Sequence, residues 1–545
     1  MIFPKVKMLS QSGTYSYEKD IAVSVSGCNE FSDDTVKTVF GQTFEDGNLI
    51  LTAEKTEING TDSDEAYSLT IGEADGVVTA KIKAECEKGF IRALFTLRRM
   101  CLKNEIILGE ITDWPSFKVR GYIEGFYGNP WKSSERPEMM ELMALFGENT
   151  HYYAPKDDPY HRNKWRELYP DREASELKRL VDKAQSLYMD FHYCIAPGLS
   201  MKYSSEEDYI CLCKKTRQLF DMGIKNFGLL LDDIPADLFY EEDKKAFGNA
   251  VNAHVVLTKK YYDFLKSLSE DTALTVCPTA YHGKGTEEEL TGFAGNVPDD
   301  VFVFYTGSDI CSKELTQREA EVFFENTRHK PLYWDNYPVN DAEMFMEMHT
   351  GPLIGREKEL YKYSAGLISN CMEYFNCNKI PLITVASYLW NSGEYDPEAA
   401  YDEALSFITG SEEEKDDLIL LCDHFRTSCL HDENSRIMGE YLSLASVCFG
   451  TGEYDRAVET VKEYTDRVRL AAERIEKRNA PIYKELSRWI KKFRLMTEIM
   501  SLSLKVLSGA GTKQELKTLM EQYNESATVL TSFCFREYIE SVLSL

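Results

Sequence analysis

Through the middle of the chain, short apolar runs alternate with longer stretches whose apolar residues recur every three or four positions. Eight runs can be counted, beginning near Arg120 (Tyr122-Ile123), Asn149 (His151 to Ala154), Asp190 (Phe191 to Ala196) and Asn226 (Phe227 to Leu231). The other four begin near Ala273 (Leu274 to Val276), Val301 (Phe302 to Tyr305), Pro331 (Leu332 to Trp334) and Ala365 (Leu367-Ile368). Runs this short, bounded by glycine, proline or charge, predict fully buried strands. Between them, Leu177, Leu180, Val181, Ala184 and Leu187 follow helical spacing, and Ser134 and Pro137 sit where a cap and a first turn belong. Eight strand–helix repeats across residues 116–395 predict an α/β fold, a (β/α)8 TIM-type barrel.

The flanks differ in texture. In residues 1–115, Ile21–Val25, Leu49–Leu51, Tyr67–Ile71 and Val77–Ile82 read as strands, and Gly89–Leu97 as an amphipathic helix with Phe90, Ile91, Leu94 and Leu97 on one face. This predicts an N-terminal α+β domain. Residues 396–545 read as a C-terminal helical bundle: Val461, Tyr464, Val468, Ala471 and Ile475 step by threes and fours, Leu486, Ile490, Phe493 and Ile499 less regularly, and the intervening charges form a solvated face.

Candidate chemistry collects where the predicted barrel strands end. Glu124-Gly125 follow the first strand, Lys156-Asp157-Asp158 the second, Asp232-Asp233 the fourth and Thr279 to Tyr281 the fifth. Thr306-Gly307, Asp335-Asn336 and Ser369-Asn370 close the last three. Any one of these is explained as a turn former, but barrel enzymes place their chemistry at this end of the strands. The sharpest signal is Asn226-Phe-Gly-Leu-Leu-Leu-Asp-Asp-Ile-Pro235, an apolar run that ends in two adjacent carboxylates. Asp-Asp also occurs at Asp33, Asp157, Asp299 and Asp416, so only the preceding leucines set Asp232-Asp233 apart. Two acids beside a core resist ionising together, which is how an acid/base pair is made.

Composition narrows the partners. A chain of 545 residues suggests about three domains, and 43% hydrophobic residues suffice for sizeable cores. A net charge of −28 argues against nucleic acid and against anionic membrane surfaces, leaving a neutral small molecule or sugar. The opening Met1-Ile-Phe-Pro-Lys-Val lacks the pattern of a secretion signal, and no apolar run approaches membrane-spanning length. The expectation is a cytoplasmic protein, with secretion left open should a signal have been removed. Fourteen cysteines, scattered from Cys28 to Cys534, have no small-domain framework spacing and read as reduced thiols; Cys211-Leu-Cys213 is too tight for a zinc pair. No metal site and no cofactor are expected, and the oligomeric state is left open.

Five motifs in order carry a resemblance: Arg120-Gly-Tyr-Ile-Glu-Gly-Phe-Tyr-Gly-Asn-Pro-Trp131, Tyr153-Ala-Pro-Lys-Asp-Asp158, Leu229-Leu-Leu-Asp-Asp-Ile234, Cys277-Pro-Thr-Ala-Tyr281, and Tyr333-Trp-Asp-Asn336 with Asn340-Asp341. Together they resemble glycoside hydrolase family 84, the β-N-acetylglucosaminidases that include the O-GlcNAcases. The resemblance implies retaining, substrate-assisted hydrolysis of terminal β-linked GlcNAc on a glycan or glycoprotein, in which the sugar's 2-acetamido oxygen attacks C1 and forms an oxazoline. It implies that Asp232 accepts the acetamido N–H and stabilises the developing positive charge, and that Asp233 is the general acid and then the base. It further implies that Gly125 (through its backbone), Lys156, Asp341 and Asn370 hold ring hydroxyls, Tyr281 bonds the acetamido oxygen, Trp334 walls the N-acetyl pocket and Asn336 orients the acid pair. The family usually reads Asn-Pro-Met after the last strand, where this chain has Asn370-Cys371-Met372, so Asn370 loses a conformational restraint beside it. Two other readings stand beside this one: a non-catalytic GlcNAc-binding or scaffold protein, and a hyaluronidase-type endo-glycosidase, against which the net negative charge weighs.

Overall fold

In the computed structural model, described for residues 2–545 except 18–19, 28–30, 431–434 and 532, the eight apolar runs form eight parallel strands. Cys28 thus lies outside the described residues. The chain divides into two compact units. One comprises Met1–Asn336, Gly355–Asn370 and Val385–Asp396; the other comprises Tyr337–Ile354, Cys371–Thr384 and Pro397–Leu545.

The first unit begins with a six-stranded mixed sheet in the order β1-β6-β4-β5-β3-β2. Its strands are β1 (Met8–Tyr15), β2 (Val23–Val25), β3 (Leu49–Lys55), β4 (Tyr67–Ala74), β5 (Val77–Ala84) and β6 (Ile106–Asp113), with helices α1 (Asp33–Phe40) and α2 (Glu87–Leu102). Four of these strands and α2 match the sequence expectation. β1, β6 and α1 do not appear in it. β1 is an edge strand whose side chains are mostly exposed, so it carries no apolar alternation to read. α2 packs against β4, β5 and β6 and buries Phe90, Ile91, Leu94 and Leu97.

The barrel strands are β7 (Val119–Ile123), β8 (Thr150–Tyr153), β9 (Asp190–Ile195), β10 (Asn226–Leu230), β11 (Ala273–Cys277), β12 (Phe302–Tyr305), β13 (Leu332–Asp335) and β14 (Gly366–Asn370). β14 pairs with β7 and closes the ring, with every pairing parallel. Ile123, Tyr152, Cys194, Leu230, Phe304 and Ile368 fill the barrel interior. Helices α3 (Glu135–Leu145), α4 (Asp171–Ser186), α5 (Glu206–Asp221), α6 (Glu241–Phe247), α7 (Ala250–Leu268), α8 (Glu288–Ala294), α9 (Gln317–Thr327) and α10 (Phe375–Trp390) follow in turn. α4 buries Leu177, Leu180, Val181 and Ala184, as the spacing requires. Ser134 is the N-cap residue of α3, but its side chain makes no cap bond.

Buried ions join the sheet to the bottom of the barrel. Glu65, ahead of β4, accepts from Arg92 Nε of α2 at 2.7 Å, from Arg120 Nη2 of β7 at 2.6 Å and from Asn149 Nδ2 at 2.9 Å. Asp113 at the end of β6 accepts from Trp390 Nε1 at 2.8 Å and from the Lys7 backbone N–H at 2.9 Å; burial pushes its carboxyl up to about 6.

The second unit is built mainly from helices. Val461, Tyr464, Val468, Ala471 and Ile475 are all buried on the helix Tyr454–Lys477, and Ile490, Phe493 and Ile499 on Ser487–Leu507. Among the described residues, no helix is long and apolar enough to cross a membrane.

Candidate active site

β10 ends at Leu230 because the chain turns away immediately after it. The Leu231 N–H donates to Cys277 O of β11 (2.9 Å), Thr279 Oγ1 donates to Leu231 O (2.8 Å), and Asp233 takes a left-handed backbone conformation, φ +51°. That φ is uncommon for a residue with a Cβ, and aspartate tolerates it better than most. The turn aims two consecutive carboxylates differently: Asp232 is largely buried against the barrel, while Asp233 is exposed at its rim.

Around Asp232, Lys156 Nζ stands 3.9 Å from Oδ2, with each side chain only about a tenth exposed. Burial raises the Asp232 carboxyl above its ordinary range; Lys156 opposes the rise and Asp233 adds to it. Asp233 Oδ2 accepts from Tyr127 Oη at 2.9 Å, and Tyr127 Oη accepts in turn from Arg162 Nη1 at 3.0 Å. Lys156 Nζ also lies 4.9 Å from the centre of the Tyr127 ring. Two cations and one phenol therefore surround the acid pair. Tyr281 borders the same charges. Burial first, then Asp233, raises its phenol, keeping it a hydrogen-bond donor.

A second chain of contacts runs from β13 to β14. Trp334 Nε1 donates to Asn336 Oδ1 (3.0 Å), which also accepts from Asn370 Nδ2 (2.9 Å), and Asn336 Nδ2 donates to Ile310 O (2.8 Å). Trp334 and Asn370 are buried, and Asn370 Oδ1 is a buried acceptor with no hydrogen-bond partner among the described residues. Such an atom is costly unless a ligand hydroxyl or water meets it. Gly125 closes against the same group: a Cβ there would lie 2.7 Å from Trp334 Cζ2 and 3.0 Å from Asn370 Oδ1. Tyr281 packs on the core cluster that contains Trp334, which ties the two groups together.

The structure thus brings Gly125, Lys156, Asp232, Asp233, Tyr281, Trp334, Asn336 and Asn370 to the carboxyl ends of the barrel strands. Asp341 belongs to the second unit, where it precedes the short turn Ala342–Met344. Other strand-end acids serve the scaffold. Glu124 pairs bidentately with Arg136 (2.7 and 2.8 Å), Asp335 pairs bidentately with Arg356 (2.8 and 2.5 Å), and Asp158 accepts from Tyr153 and Tyr169. After Asn370, buried Cys371 stands in the proline position. Within the second unit the Asn378 amide accepts from Met372 N–H and donates to Met372 O and Tyr374 O, each at 2.8 Å, fixing the segment by hydrogen bonds.

Sequence reasoning missed Tyr127 and Arg162. Tyr127 lies inside the first quoted motif, but an exposed tyrosine between glycines announces no partner. Arg162 has no pattern around it. The Gly125 packing carries a direct test: Gly125→Ala is expected to lower turnover of an aryl β-N-acetylglucosaminide about a hundredfold by displacing Trp334, with near-normal melting. Unchanged kinetics would mean that this wall is not in contact with substrate.

Comparison with known proteins adds the following. A family model described as beta-N-acetylglucosaminidase matches residues 120–423. The protein O-GlcNAcases of Rattus norvegicus and Mus musculus are each 31% identical over 274 residues, 49% of this chain; the match covers 29% of their length. Among solved structures, a point mutant of the Thermobaculum terrenum O-GlcNAc hydrolase is 29% identical, covering 78% of this chain and 95% of its own, with a TM-score of 0.75. The protein named CpGH84B shares the fold over 99% of this chain and 100% of its own, with a TM-score of 0.85 at 24% identity.

Proposed function

The chain belongs to the beta-N-acetylglucosaminidase family, glycoside hydrolase family 84, and from that membership we propose that it is a retaining exo-β-N-acetylglucosaminidase releasing terminal β-linked GlcNAc from a glycan or a glycosylated protein. The observation that carries this reading is the pair Asp232–Asp233 at the end of β10, with Lys156 on one member and Tyr127 on the other.

In the proposed reaction the substrate supplies its own nucleophile. The 2-acetamido carbonyl oxygen bonds to C1 as the glycosidic oxygen departs with the proton of Asp233. The positive charge that spreads onto the amide nitrogen is held by the Asp232 carboxylate, which accepts its N–H. Asp233, now ionised, takes a proton from water, the water oxygen bonds to C1, and the oxazoline reopens with the β configuration restored. Substrate-assisted families are exempt from the carboxylate-separation rule, so adjacent acids suffice. In the free protein Asp233 is exposed. Sugar binding would cover it and place its carboxyl against the glycosidic oxygen.

The remaining roles are those the family resemblance implies. Tyr281 donates to the acetamido oxygen, Trp334 walls the N-acetyl group, and Asn336 orients the acid pair. Gly125, Lys156 and Asn370 hold ring hydroxyls, with Asn370 Oδ1 offering the unmet acceptor. Tyr127, held by Arg162, aims Asp233.

Two measurements test this reading. Replacing N-acetyl by N-trifluoroacetyl in an aryl substrate makes the amide oxygen a poorer nucleophile, so a steep fall in rate is expected; an unchanged rate would require an enzyme nucleophile instead. Asp233→Ala should lose about 10²–10⁴-fold on a poor leaving group and far less on a dinitrophenyl glycoside, which needs no proton. Equal losses on both would remove Asp233 from the acid role.

A further inference from the structure

Lys156 reaches Asp232, but its neighbours Pro155, Asp157 and Asp158 line a different space. Between α3, α4 and the loop after β8 lies a cleft of about 570 Å³, within the size range of small-ligand sites. Its inner surface is apolar and aromatic: Leu177, Leu180 and Tyr169 are buried there. Its rim is polar, with Ser134 at the start of α3 and Glu173 and Arg179 on α4 all exposed.

The wall of this cleft is rigid. Lys215 of α5, wholly buried, donates to Tyr160 O at 3.0 Å and lies 5.2 Å and 4.8 Å from the centres of the Tyr160 and Tyr169 rings. Tyr169 Oη in turn donates to Asp158 Oδ2 at 2.5 Å. A preformed wall lowers the ordering cost of binding. The rim is less committed: the Ser134 hydroxyl does not cap its helix.

Charge decides the ligand class. Asp157, Asp158, Glu173 and Glu176 outnumber Arg136 and Arg179, and Arg136 is already held by Glu124. Anionic ligands are therefore disfavoured. Short hydroxyls and planar carboxylate and guanidinium groups over an apolar floor suit vicinal diols on a ring with apolar faces. We infer that this cleft binds neutral saccharide units, at a site distinct from the acid pair. The inference stands on the cleft itself and does not require the hydrolase reading, because binding is measured apart from turnover.

The test is ligand-observed NMR titration of the full chain with lactose and with N,N′-diacetylchitobiose, alongside a basic peptide, trilysine. Lactose lacks the acetamido group proposed for the catalytic pocket. Both sugars are expected to bind the native chain in the millimolar range. Affinity for lactose should fall at least tenfold in Ser134→Trp, which fills the rim, and severalfold in Arg179→Ala. Both changes lie on exposed helix positions and should leave turnover of a small aryl glycoside unaltered. Sugar binding that is absent, or untouched by either substitution, overturns the inference, as does binding of trilysine alone.

Discussion

Asp232→Ala is expected to lower kcat/KM about 10³-fold or more for every substrate, whatever its leaving group. The breadth of the loss follows from where Asp232 would act. In the proposed reaction it meets the amide that supplies the nucleophile, and that amide is common to all substrates. Asp233 meets the departing oxygen and then the incoming water, but not the amide. Removing one preorganised electrostatic partner of a developing charge costs about 10²–10³ in rate, or roughly 3–4 kcal/mol at tenfold per 1.36 kcal/mol. Lys156 adds to this, since its ammonium would remain in a largely buried site with its carboxylate gone. Asp232→Asn separates the contributions by keeping an acceptor oxygen without the charge; it should recover little. Rates on aryl glycosides spanning good and poor leaving groups, with a melting curve for each variant, decide the matter. A folded Asp232→Ala protein that turns over any of them at near-native rate would remove Asp232 from the reaction.

The barrel was legible because parallel strands buried on both faces must be continuously apolar, so each appears as a short run whatever its partner. Leu229, Leu230 and Val276 needed no tertiary information to be assigned. β1 was not legible for the opposite reason: Met8 to Tyr15 lie mostly exposed on a sheet edge, and a polar strand and a loop read alike. β6 buries Ile106, Ile107 and Ile111, but Gly109 and Glu110 interrupt its alternation.

The candidate site was legible where chemistry coincides with a strand end, and not where it depends on contact across loops. Asp232 and Asn370 directly follow or end apolar runs, so position brought them forward, whereas Trp334 entered only through the family resemblance. Glu124 and Asp335 satisfied the same criterion, yet each is spent on an arginine. Spacing cannot tell a carboxylate facing solvent from one facing a guanidinium. Tyr127 and Arg162 show the converse. They stand 35 residues apart in sequence and meet at 3.0 Å only because the first two barrel loops converge over Asp233.

Glu65→Gln is expected to destabilise the first unit by about 3–5 kcal/mol, the largest effect on stability outside the candidate site. The glutamate carries one negative charge for two guanidinium groups, Arg92 and Arg120, each 2% exposed or less. Glutamine keeps the shape and an acceptor but leaves both cations uncompensated. Carbonyl groups soften the loss, since Arg120 also donates to Phe117 O and Gly147 O. Glu148 lies near Arg120, but burial raises its carboxyl to about 8, so it supplies little countercharge at pH 7. The carbonyl bonds place the expected loss toward the lower end of the range. The pH dependence provides an independent check. The two arginines, outweighing burial, hold the Glu65 carboxyl down at about 2 against an ordinary 4.5. Its stabilisation is therefore fully present above pH 4.5 and lost as pH falls from there toward 2, an interval worth about 3 kcal/mol at 1.36 kcal/mol per unit. Urea denaturation of native and variant chains between pH 7 and 3 should show the difference between them shrinking as the solution is acidified. A difference that stays constant with pH, or none at pH 7, would show that the Arg92–Glu65–Arg120 group does not hold the sheet to the barrel.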